Sequence, residues 1–261
     1  MASYNKNPKY SFVVTVYNGD EFLEETLESF IAQTENDWEA VIVDDGSTDR
    51  TKEILDHYAA KDKRFRVYYP EHLGRIPVLN KAVELARGVY LAINDADDVN
   101  VPERLELEGK FLDEHPDHAL VGSFATKIDT KSEEIGSVIT APTRDTSLRK
   151  VMVRYNPFVH SSMLYRREIV EKSGLYSDRF LPGFEWEMYV KLMQYGKAAN
   201  LPLYLVKYRT HEKSLTWSRK KMKRLMNVTR ARFFVWRALR RPLRELPFIF
   251  MGVFDLFSRS G

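Results

Sequence analysis

Short apolar runs alternate with longer amphipathic segments through the first hundred residues. The apolar runs are rich in β-branched and aromatic residues and predict four strands, at residues 10–16, 38–43, 65–69 and 89–93. Between them, apolar positions repeat at helical spacing, as in the segment that ends near Gln33. This alternation predicts right-handed βαβ units, and therefore an α/β fold with a doubly wound, mostly parallel sheet.

Turn residues set the expected helix boundaries in this half. Ser47 or Thr48 is expected to cap the second helix, whose core face would carry Ile54, Leu55 and Tyr58. The third helix is expected from about Ile76 to Arg87, with Gly88 ending it at the C′ position.

The second half continues with weaker signals. The expected elements are a helix at 103–115, strands at 119–124 and 135–140, and a strand followed by a short helix within 157–168. A further helix is expected to carry Glu185 in its first turn, with Met188, Leu192 and Tyr195 facing the core.

Composition excludes several classes of protein. The 261 residues include no cysteine, so disulfides, Fe–S clusters and thiolate zinc sites are excluded. The N-terminal stretch is polar, and no run of about 20 apolar residues occurs, so neither a secretory signal nor a transmembrane helix is expected. These features predict a cytoplasmic protein.

Charge is unevenly distributed along the chain. Residues 216–261 hold 12 Lys and Arg against only Glu245 and Asp255, while the remainder has 28 Lys and Arg against 35 Asp and Glu. Residues 219–241 combine this basic charge with apolar positions at helical spacing, and an aromatic run at 248–257 follows. The pattern suits peripheral contact with anionic lipids. It suits equally well a helix that packs on the protein or on a second copy. Nucleic-acid binding ranks last because no nucleic-acid motif accompanies the charge.

Acidic and polar residues follow three of the predicted strands. Residues 15–18 end the first strand, Asp44 and Asp45 the second, and residues 94–98 (Asn-Asp-Ala-Asp-Asp) the fourth. Carboxyl ends of parallel strands meet at one edge, so these residues should converge on one rim, where ligands of such sheets bind. Clustered carboxylates raise one another's pKa unless a cation lies among them, and Mg²⁺ or Mn²⁺ prefers such oxygen ligands. The alternative is a solvated acidic turn that caps the next helix. There is no Gly-x-Gly-x-x-Gly after the first strand and no Gly-x-x-x-x-Gly-Lys-Ser/Thr, so the usual Gly-rich phosphate loops are absent.

Four segments together resemble the family 2 glycosyltransferases of the GT-A fold. They are Val13–Asn18, Val43–Asp49, Leu79–Ala82 with Ala86–Gly88, and Asp95–Asp98, in the family's order and spacing. The resemblance covers roughly residues 9 to 215. It implies a nucleotide-sugar-binding half at 9–105 and an acceptor-binding, catalytic half at 106–215 with a smaller sheet, followed by the basic helical tail at 216–261.

The resemblance also implies roles for residues on the rim. Nucleotide contacts are expected from Thr15, Tyr17, Asn18, Asp45, Arg75, Asp95 and Ala96. Mn²⁺ or Mg²⁺ is expected on Asp97 and Asp98, where it would neutralise charge on the leaving diphosphate. Asp95 and Asp97 fill the family's DxD positions, so Asp95 stays open as an alternative ligand. Three bland alternatives stay open: Tyr17 as a packed aromatic, Arg75 as a surface arginine, and Asp44 as a residue that only caps its turn.

The expected catalytic base departs from the family pattern. Residues 182–192 match the segment Glu-Asp-x-Asp-Leu-Trp, whose second residue is the usual base. Glu185 takes that position, Phe184 replaces the acidic neighbour, and Glu187 takes the later Asp. Glu185 is therefore the expected base, with Glu187 as the alternative. His160 is interpreted as a site residue or a structural histidine.

The segment 204–214 resembles the family's closing Tyr-Arg-x-His motif. Arg209 and His211 are accordingly expected to contact the diphosphate or to close over it. The alternative interpretation is a solvent-exposed strand end.

Together these features predict a metal-dependent, inverting glycosyltransferase. It would move a sugar from a nucleotide-sugar donor, with a UDP-sugar preferred, to a hydroxyl of a glycan or lipid-linked acceptor. Polysaccharide or glycolipid synthesis at the inner face of the cell membrane fits the basic tail. The alternative is a catalytically silent nucleotide-sugar-binding or scaffold protein of the same fold.

Overall fold

The computed structural model describes residues 7–138, 142–181, 183–211, 221–240 and 242–249, with backbone only at 221–225. The strands are β1 Tyr10–Val16, β2 Trp38–Asp44, β3 Phe65–Tyr68, β4 Tyr90–Asp95, β5 Val99–Asn100, β6 His118–Ile128, β7 Glu134–Val138, β8 Leu164–Arg166 and β9 Lys197–Arg209. The helices are α1 Leu23–Ile31, α2 Thr51–Lys61, α3 Arg75–Leu85, α4 Arg104–Glu114, α5 Asp145–Val151, α6 Arg167–Ser173, α7 Phe184–Leu192, α8 Lys221–Ala238 and α9 Leu246–Ile249.

In the described residues these strands form one continuous sheet in the order β3-β2-β1-β4-β8-β6-β9-β5, with β7 beside β6. The first four are parallel, as the βαβ pattern predicts. β8 then pairs antiparallel with both β4 and β6, and so joins the two halves of the sheet. The smaller sheet expected in the second half corresponds to β5, β6, β7 and β9, attached through β8 rather than separate.

Both faces of the parallel strands are buried. Alternate residues of β1 enter different clusters: Val13 faces α3 and the α6–α8 region, while Phe12 and Val14 face α1, α2 and α4. Period-2 alternation between two apolar layers explains why β1 and β2 read as nearly continuous apolar runs.

A buried carboxylate ties β1, β2 and the start of β4 together. Glu39, on β2, accepts hydrogen bonds from Ser11 Oγ at 2.8 Å and from the Arg87 amide at 2.7 Å. Arg66 Nη1 and the Arg87 guanidinium pair with its other oxygen. Charged groups persist in this interior because each finds a partner.

The expectation for Gly88 is wrong. α3 ends at Leu85, and Ala86 after it is extended rather than left-handed. Gly88 instead passes close to β1, where a Cβ would lie 2.5 Å from the Ser11 nitrogen and 2.6 Å from the Tyr10 carbonyl carbon. Glycine is needed there for the close approach of two backbones.

Two other local expectations are also corrected. Neither Ser47 nor Thr48 caps α2, because the helix begins at Thr51, whose amide donates to Asp49 Oδ1 at 3.0 Å. Tyr195 does not face the core: it follows α7 and is 54% exposed, while Met188 and Leu192 are buried.

The described part of the tail packs on the rest of the protein. Val228, Ala231, Val235 and Leu239 recur at helical spacing and join the core cluster on the α7 side of the sheet. This packing supports the alternative in which the tail helix contacts the protein, and it does not bear on membrane contact. No helix of the described residues combines the length and apolarity that a bilayer crossing needs. Most of the aromatic run at 248–257 lies outside the described residues.

Candidate active site

The carboxyl ends of β1, β2 and β4 meet at one rim. Thr15 is in register with Asp95 of β4, and Val16 with Asp44 of β2. The Asp45 amide donates to the Val16 carbonyl at 2.8 Å, which keeps the second acidic turn against the end of β1. The predicted convergence of the acidic stretches follows directly from this register.

Asn18 links the turns that follow β1 and β2. Its amide donates to Ser47 Oγ at 2.8 Å, and its side-chain carbonyl accepts from the Thr48 amide at 2.8 Å. Its φ of 52° is left-handed, a conformation that asparagine tolerates better than most residues. Asp44 accepts both the amide and the hydroxyl of Ser47, so it caps this turn, as one interpretation held.

Asp45 organises the loop before α3. Its carboxylate accepts hydrogen bonds from the Leu73 amide at 2.7 Å and from the Gly74 amide at 3.1 Å. His72 Nδ1 lies 3.2 Å from the other carboxylate oxygen. Tyr17 is 53% exposed, with its ring centroid 5.2 Å from that of His72. Tyr17 therefore offers an open aromatic face beside the carboxylate, and the packed-aromatic interpretation does not hold.

The loop held by Asp45 positions Arg75 beside the acidic turn that follows β4. Arg75 follows Gly74 directly, and its Nη2 lies 2.6 Å from Asp95 Oδ1. Ser161 Oγ accepts from the Asp95 amide at 3.1 Å. Burial raises the pKa of the Asp95 carboxyl, but the charge and hydrogen bond of Arg75, together with the contributions of His160 and Ser161, lower it more, so the net pKa lies below the usual value. Arg75 is thus a residue of the rim and not a free surface arginine.

Asp97 and Asp98 have the opposite electrostatic character. Burial, and then the charge of Asp95, raise the pKa of Asp97 above its usual value. Burial and the charges of Asp97 and Asp95 raise the pKa of Asp98 well above its usual value. Cations of the protein therefore do not fully compensate the negative charge of this turn.

The two carboxylates differ in accessibility. The side chain of Asp97 is 31% exposed, and its Oδ2 lies 2.8 Å from His211 Nε2. Asp98 is only 1% exposed and accepts a hydrogen bond from the Arg209 amide at 2.8 Å. Asp97 faces the rim, whereas Asp98 faces β9 and the interior.

Arg209 is buried beneath the acidic turn. It is 1% exposed, and its Nε donates to the Asp97 carbonyl at 2.9 Å. Its Nη1 donates to the Asp129 carbonyl at 2.8 Å, and its Nη2 pairs with Glu25. The interpretation of this segment as a solvent-exposed strand end is wrong. A contact between Arg209 and a diphosphate stays a prediction, and it would require some of these bonds to break.

The donor set fits a divalent cation that a phosphate completes. No three His, Cys, Asp or Glu side chains among the described residues form a metal-binding group by themselves. Mg²⁺ and Mn²⁺ in nucleotide sites, however, are held by one or two carboxylates plus phosphate oxygens. The accessible Asp97, beside Asp95 and with a raised pKa, offers that kind of partial site.

Glu185 reaches the same rim from the first turn of α7. Burial raises the pKa of its carboxyl, while the nearby charge of Arg75 lowers it and that of Asp95 raises it. These interactions link Glu185 to the Arg75–Asp95 pair. Phe184 contributes as well, since the Arg75 guanidinium lies 5.4 Å from its ring centroid.

The alternative base, Glu187, is held elsewhere. It is 2% exposed, accepts a hydrogen bond from Ser177 Oγ at 2.5 Å, and lies 3.3 Å from Lys191 Nζ. Both partners belong to the local packing of α7. Of the two glutamates, Glu185 is partly exposed and interacts with Arg75 and Asp95, and its role as base stays a prediction.

His160 lies behind the Asp95–Glu185 cluster. Its Nδ1 is 3.1 Å from Tyr189 Oη, and its ring contacts those of Tyr176 and Phe184. Burial lowers the pKa of His160 to about 4, so its ring is neutral at pH 7. A neutral, aromatic-packed ring agrees with the structural interpretation of this histidine.

Sequence reasoning missed two residues of the rim and one beneath it. Ser161 bonds Asp95, His72 contacts Asp45, and Glu25 pairs with Arg209. None lies in a motif with recognisable spacing. Only the position of His72 in the loop before Arg75 offered a signal.

Comparisons with known proteins agree with this geometry. The family model for glycosyl transferase family 2 matches residues 11–174. An uncharacterized glycosyltransferase of Methanocaldococcus jannaschii is 31% identical over 222 residues, which cover 84% of this chain and 76% of that protein. An uncharacterized glycosyltransferase of Haemophilus influenzae is 29% identical over 213 residues, covering 78% of this chain and 66% of that protein.

Solved structures show the same fold. Residues 1–349 of S. aureus TarS, in complex with UDP-GlcNAc, match 93% of this chain and 73% of that chain with a TM-score of 0.73 and 18% identity. A mannosyltransferase of Pyrobaculum calidifontis, in complex with GDP-Man and Mn²⁺, matches 97% of this chain and 76% of that chain with a TM-score of 0.65 and 19% identity. The predicted GT-A fold, with helices at the C-terminus, is confirmed.

Proposed function

Because this chain belongs to glycosyltransferase family 2, we propose that it is a metal-dependent, inverting enzyme that moves a sugar from a nucleotide-sugar donor to a hydroxyl acceptor. A UDP-sugar is the expected donor, and a glycan or lipid-linked molecule the expected acceptor. The observation that carries the proposal is the electrostatic cluster of Arg75, Asp95 and Glu185, which joins α3, β4 and α7 at one rim.

The nucleotide would lie over the ends of β1 and β2. Tyr17 stacks on the base, and Asp45 lies beside it with Thr15 and Asn18 lining the turn. The ribose and diphosphate extend toward Asp95 and Ala96. Arg75 faces the diphosphate, where a guanidinium can donate two parallel hydrogen bonds to phosphate oxygens.

Glu185 would act as the general base. In its ionised form it accepts the proton of the acceptor hydroxyl while that oxygen bonds to the anomeric carbon and the bond from this carbon to the diphosphate breaks. A divalent ion held by Asp97, with Asp98 behind it, would supply positive charge to the leaving diphosphate. Phe184, in place of the family's acidic residue, leaves Glu185 as the one carboxylate of this pair, and burial raises the pKa of that carboxyl.

The basic tail is proposed to give peripheral membrane contact, which would bring the enzyme to a lipid-linked acceptor at the inner membrane face. Its net positive charge supports attraction to anionic lipids.

The test compares Glu185→Gln with Glu187→Gln, which make the same chemical change two residues apart. Nucleoside diphosphate release is measured with UDP- and GDP-sugars plus Mn²⁺, and donor binding by thermal shift. Glu185→Gln should keep donor binding and lose about 10²–10⁴-fold in turnover, the range for a general base. Folded wild-type protein that binds donors and shows no release with any of them would favour the silent, nucleotide-sugar-binding alternative.

A further inference from the structure

A cavity lies away from the rim, between α8, α9 and the segment that precedes α7. Its volume is about 440 Å³, and it is lined by Arg179, Phe180, Thr229, Arg230, Phe233, Phe234, Arg237 and Ile249. This volume lies within the range of small-molecule sites. The wall combines three guanidinium groups with four apolar side chains.

The outward face of α8 continues this mixture. The residues of α8 with described, exposed side chains are Met226, Arg230, Phe233 and Arg237, spaced four, three and four residues apart. They form one stripe, opposite the face whose Ala231 and Val235 are buried. Met226 is 59% exposed and Phe233 48% exposed. Exposed large apolar side chains beside arginines, whose stems can lie along apolar surface while the charged groups stay in water, suit contact with lipid headgroups.

The arginines of the cavity are available to an anion. Within the described part of the chain, Arg179, Arg230 and Arg237 form no ion pair with a carboxylate. Arginine pairs with phosphate through two parallel hydrogen bonds, so three guanidinium groups favour a phosphate ester. The inner part of the apolar wall is enclosed, since Phe180 is 4% and Ile249 1% exposed, whereas Phe233 at its outer part is 48% exposed. An enclosed apolar surface beside the guanidinium groups suits a hydrocarbon chain attached to a phosphate.

We propose that this cavity, with the outward stripe of α8, is a binding site for the phosphate group of an anionic membrane phospholipid. The arginines bind the phosphate, and the apolar wall contacts the first part of the acyl chains. The proposal rests on the proposed membrane contact of the tail and deepens it by naming the site.

The cavity adjoins the segment that leads into the catalytic helix. Asn227 Nδ2 of α8 donates to the Leu181 carbonyl, and the Phe180 and Phe234 ring centroids are 5.4 Å apart. Gly183, with a φ of +112°, packs between the Phe180 carbonyl and Ala231. Glu185 follows two residues later. A lipid in the cavity would therefore lie against the same short segment that positions Glu185.

The test is flotation of the full chain with phosphatidylcholine vesicles, with and without phosphatidylglycerol, at low and physiological salt. The cavity variant is Arg230→Gln with Arg237→Gln. Its matched control is Arg240→Gln with Arg244→Gln, which removes two exposed tail arginines that do not line the cavity. Thermal melting confirms that both variants fold like the wild type.

The loss of affinity for phosphatidylglycerol vesicles should be at least about tenfold greater in the cavity variant than in the control. Only the cavity variant removes arginines that bind the phosphate directly. Equal losses of vesicle binding in the two variants would show that the cavity is not the phospholipid site. Binding would then depend only on general attraction between the basic tail and anionic lipids. Absence of wild-type binding at low salt would remove the membrane contact itself, independently of whether sugar transfer is observed.

Two further arms identify the ligand. Soluble glycerol phosphate should not displace the protein from vesicles at millimolar concentration, and displacement would assign the cavity to free phosphates instead. The second experiment measures binding of a single-stranded oligonucleotide. If it binds the wild type more tightly than the vesicles do, and the cavity variant does not bind it, the cavity would be a nucleic-acid site.

Discussion

The guanidinium of Arg75 lies 2.6 Å from the carboxylate of Asp95, so the first residue of α3 pairs with the last residue of β4. The preceding residue, Gly74, donates its amide to Asp45 at the end of β2. One short loop therefore connects the two acidic turns, and we expect Arg75 to exchange its bond to Asp95 for one to a phosphate when a donor binds.

Replacing Arg75 by alanine should weaken donor binding. A hydrogen bond to a charged group contributes about 1.5–3 kcal/mol, so kcat/KM for the donor should fall about 10- to 100-fold, chiefly through KM. Arg167→Ala is the control, since it removes a partly exposed arginine of α6 that pairs with Glu171 and donates to the Gly88 carbonyl. An unchanged donor KM in the Arg75 variant would remove this residue from the diphosphate site.

Alanine substitutions should separate the roles of Asp97 and Asp98. Asp97→Ala removes the accessible carboxylate, so the Mn²⁺ concentration needed for activity should rise at least about tenfold while stability changes little. Asp98→Ala leaves the buried Arg209 amide without its acceptor, which should cost about 1–3 kcal/mol of unfolding free energy. Both are measured by Mn²⁺ titration of diphosphate release and by urea denaturation. The reverse pattern would make Asp98 the metal ligand and Asp97 the structural residue.

The rim was predictable because parallel strands impose it. Once the period-2 runs around Val13 and Ile93 are recognised as neighbouring parallel strands, their carboxyl ends must coincide, and Thr15 pairs with Asp95 as a consequence. The same reasoning covers Asp44, in register with Val16. These predictions needed only local pattern and the handedness of βαβ units.

Individual partners were not predictable from the sequence. Asp45 is bonded by amides 28 and 29 residues further on, and Arg209 pairs with Glu25 across 184 residues. No periodicity encodes such contacts, because they arise only after the sheet has assembled. Gly88 shows the same limit. Its position after a helical pattern favoured a C′ glycine, yet the approach of β1 determines its role.

Glu39→Gln should destabilise the fold. Arg66 and Arg87 would lose the buried charge that they share, and breaking such a pair typically costs about 3–5 kcal/mol. Urea denaturation measures the loss, and Glu84→Gln on the exposed surface of α3 is the matched control. Equal midpoints for the two variants would show that the buried carboxylate contributes little.

The same carboxylate should make stability depend on pH. Burial raises the pKa of Glu39, but its bonds with Arg87, Ser11 and Arg66 together lower it more, so the net pKa lies below that of an ordinary glutamate. Its contribution is therefore present above the unfolded pKa and is lost as pH falls through the lower folded pKa. The acid-induced decline of the unfolding free energy should be shallower in Glu39→Gln than in wild type, whereas a parallel decline would contradict the assignment.

The pH profile of turnover should report Glu185. Burial raises the pKa of its carboxyl, and a general base must be ionised, so the acidic limb of kcat should lie above the pH at which an ordinary glutamate titrates. Because the charge of Arg75 lowers this pKa, Arg75→Ala should move the limb to still higher pH. Glu187→Gln should leave the limb in place, because the carboxylate that it removes is held by Ser177. Loss of turnover and of the acidic limb in Glu187→Gln, with a limb that stays fixed in Arg75→Ala, would transfer the role of base to Glu187, because only a base outside the Arg75–Asp95 cluster would be insensitive to the loss of that charge.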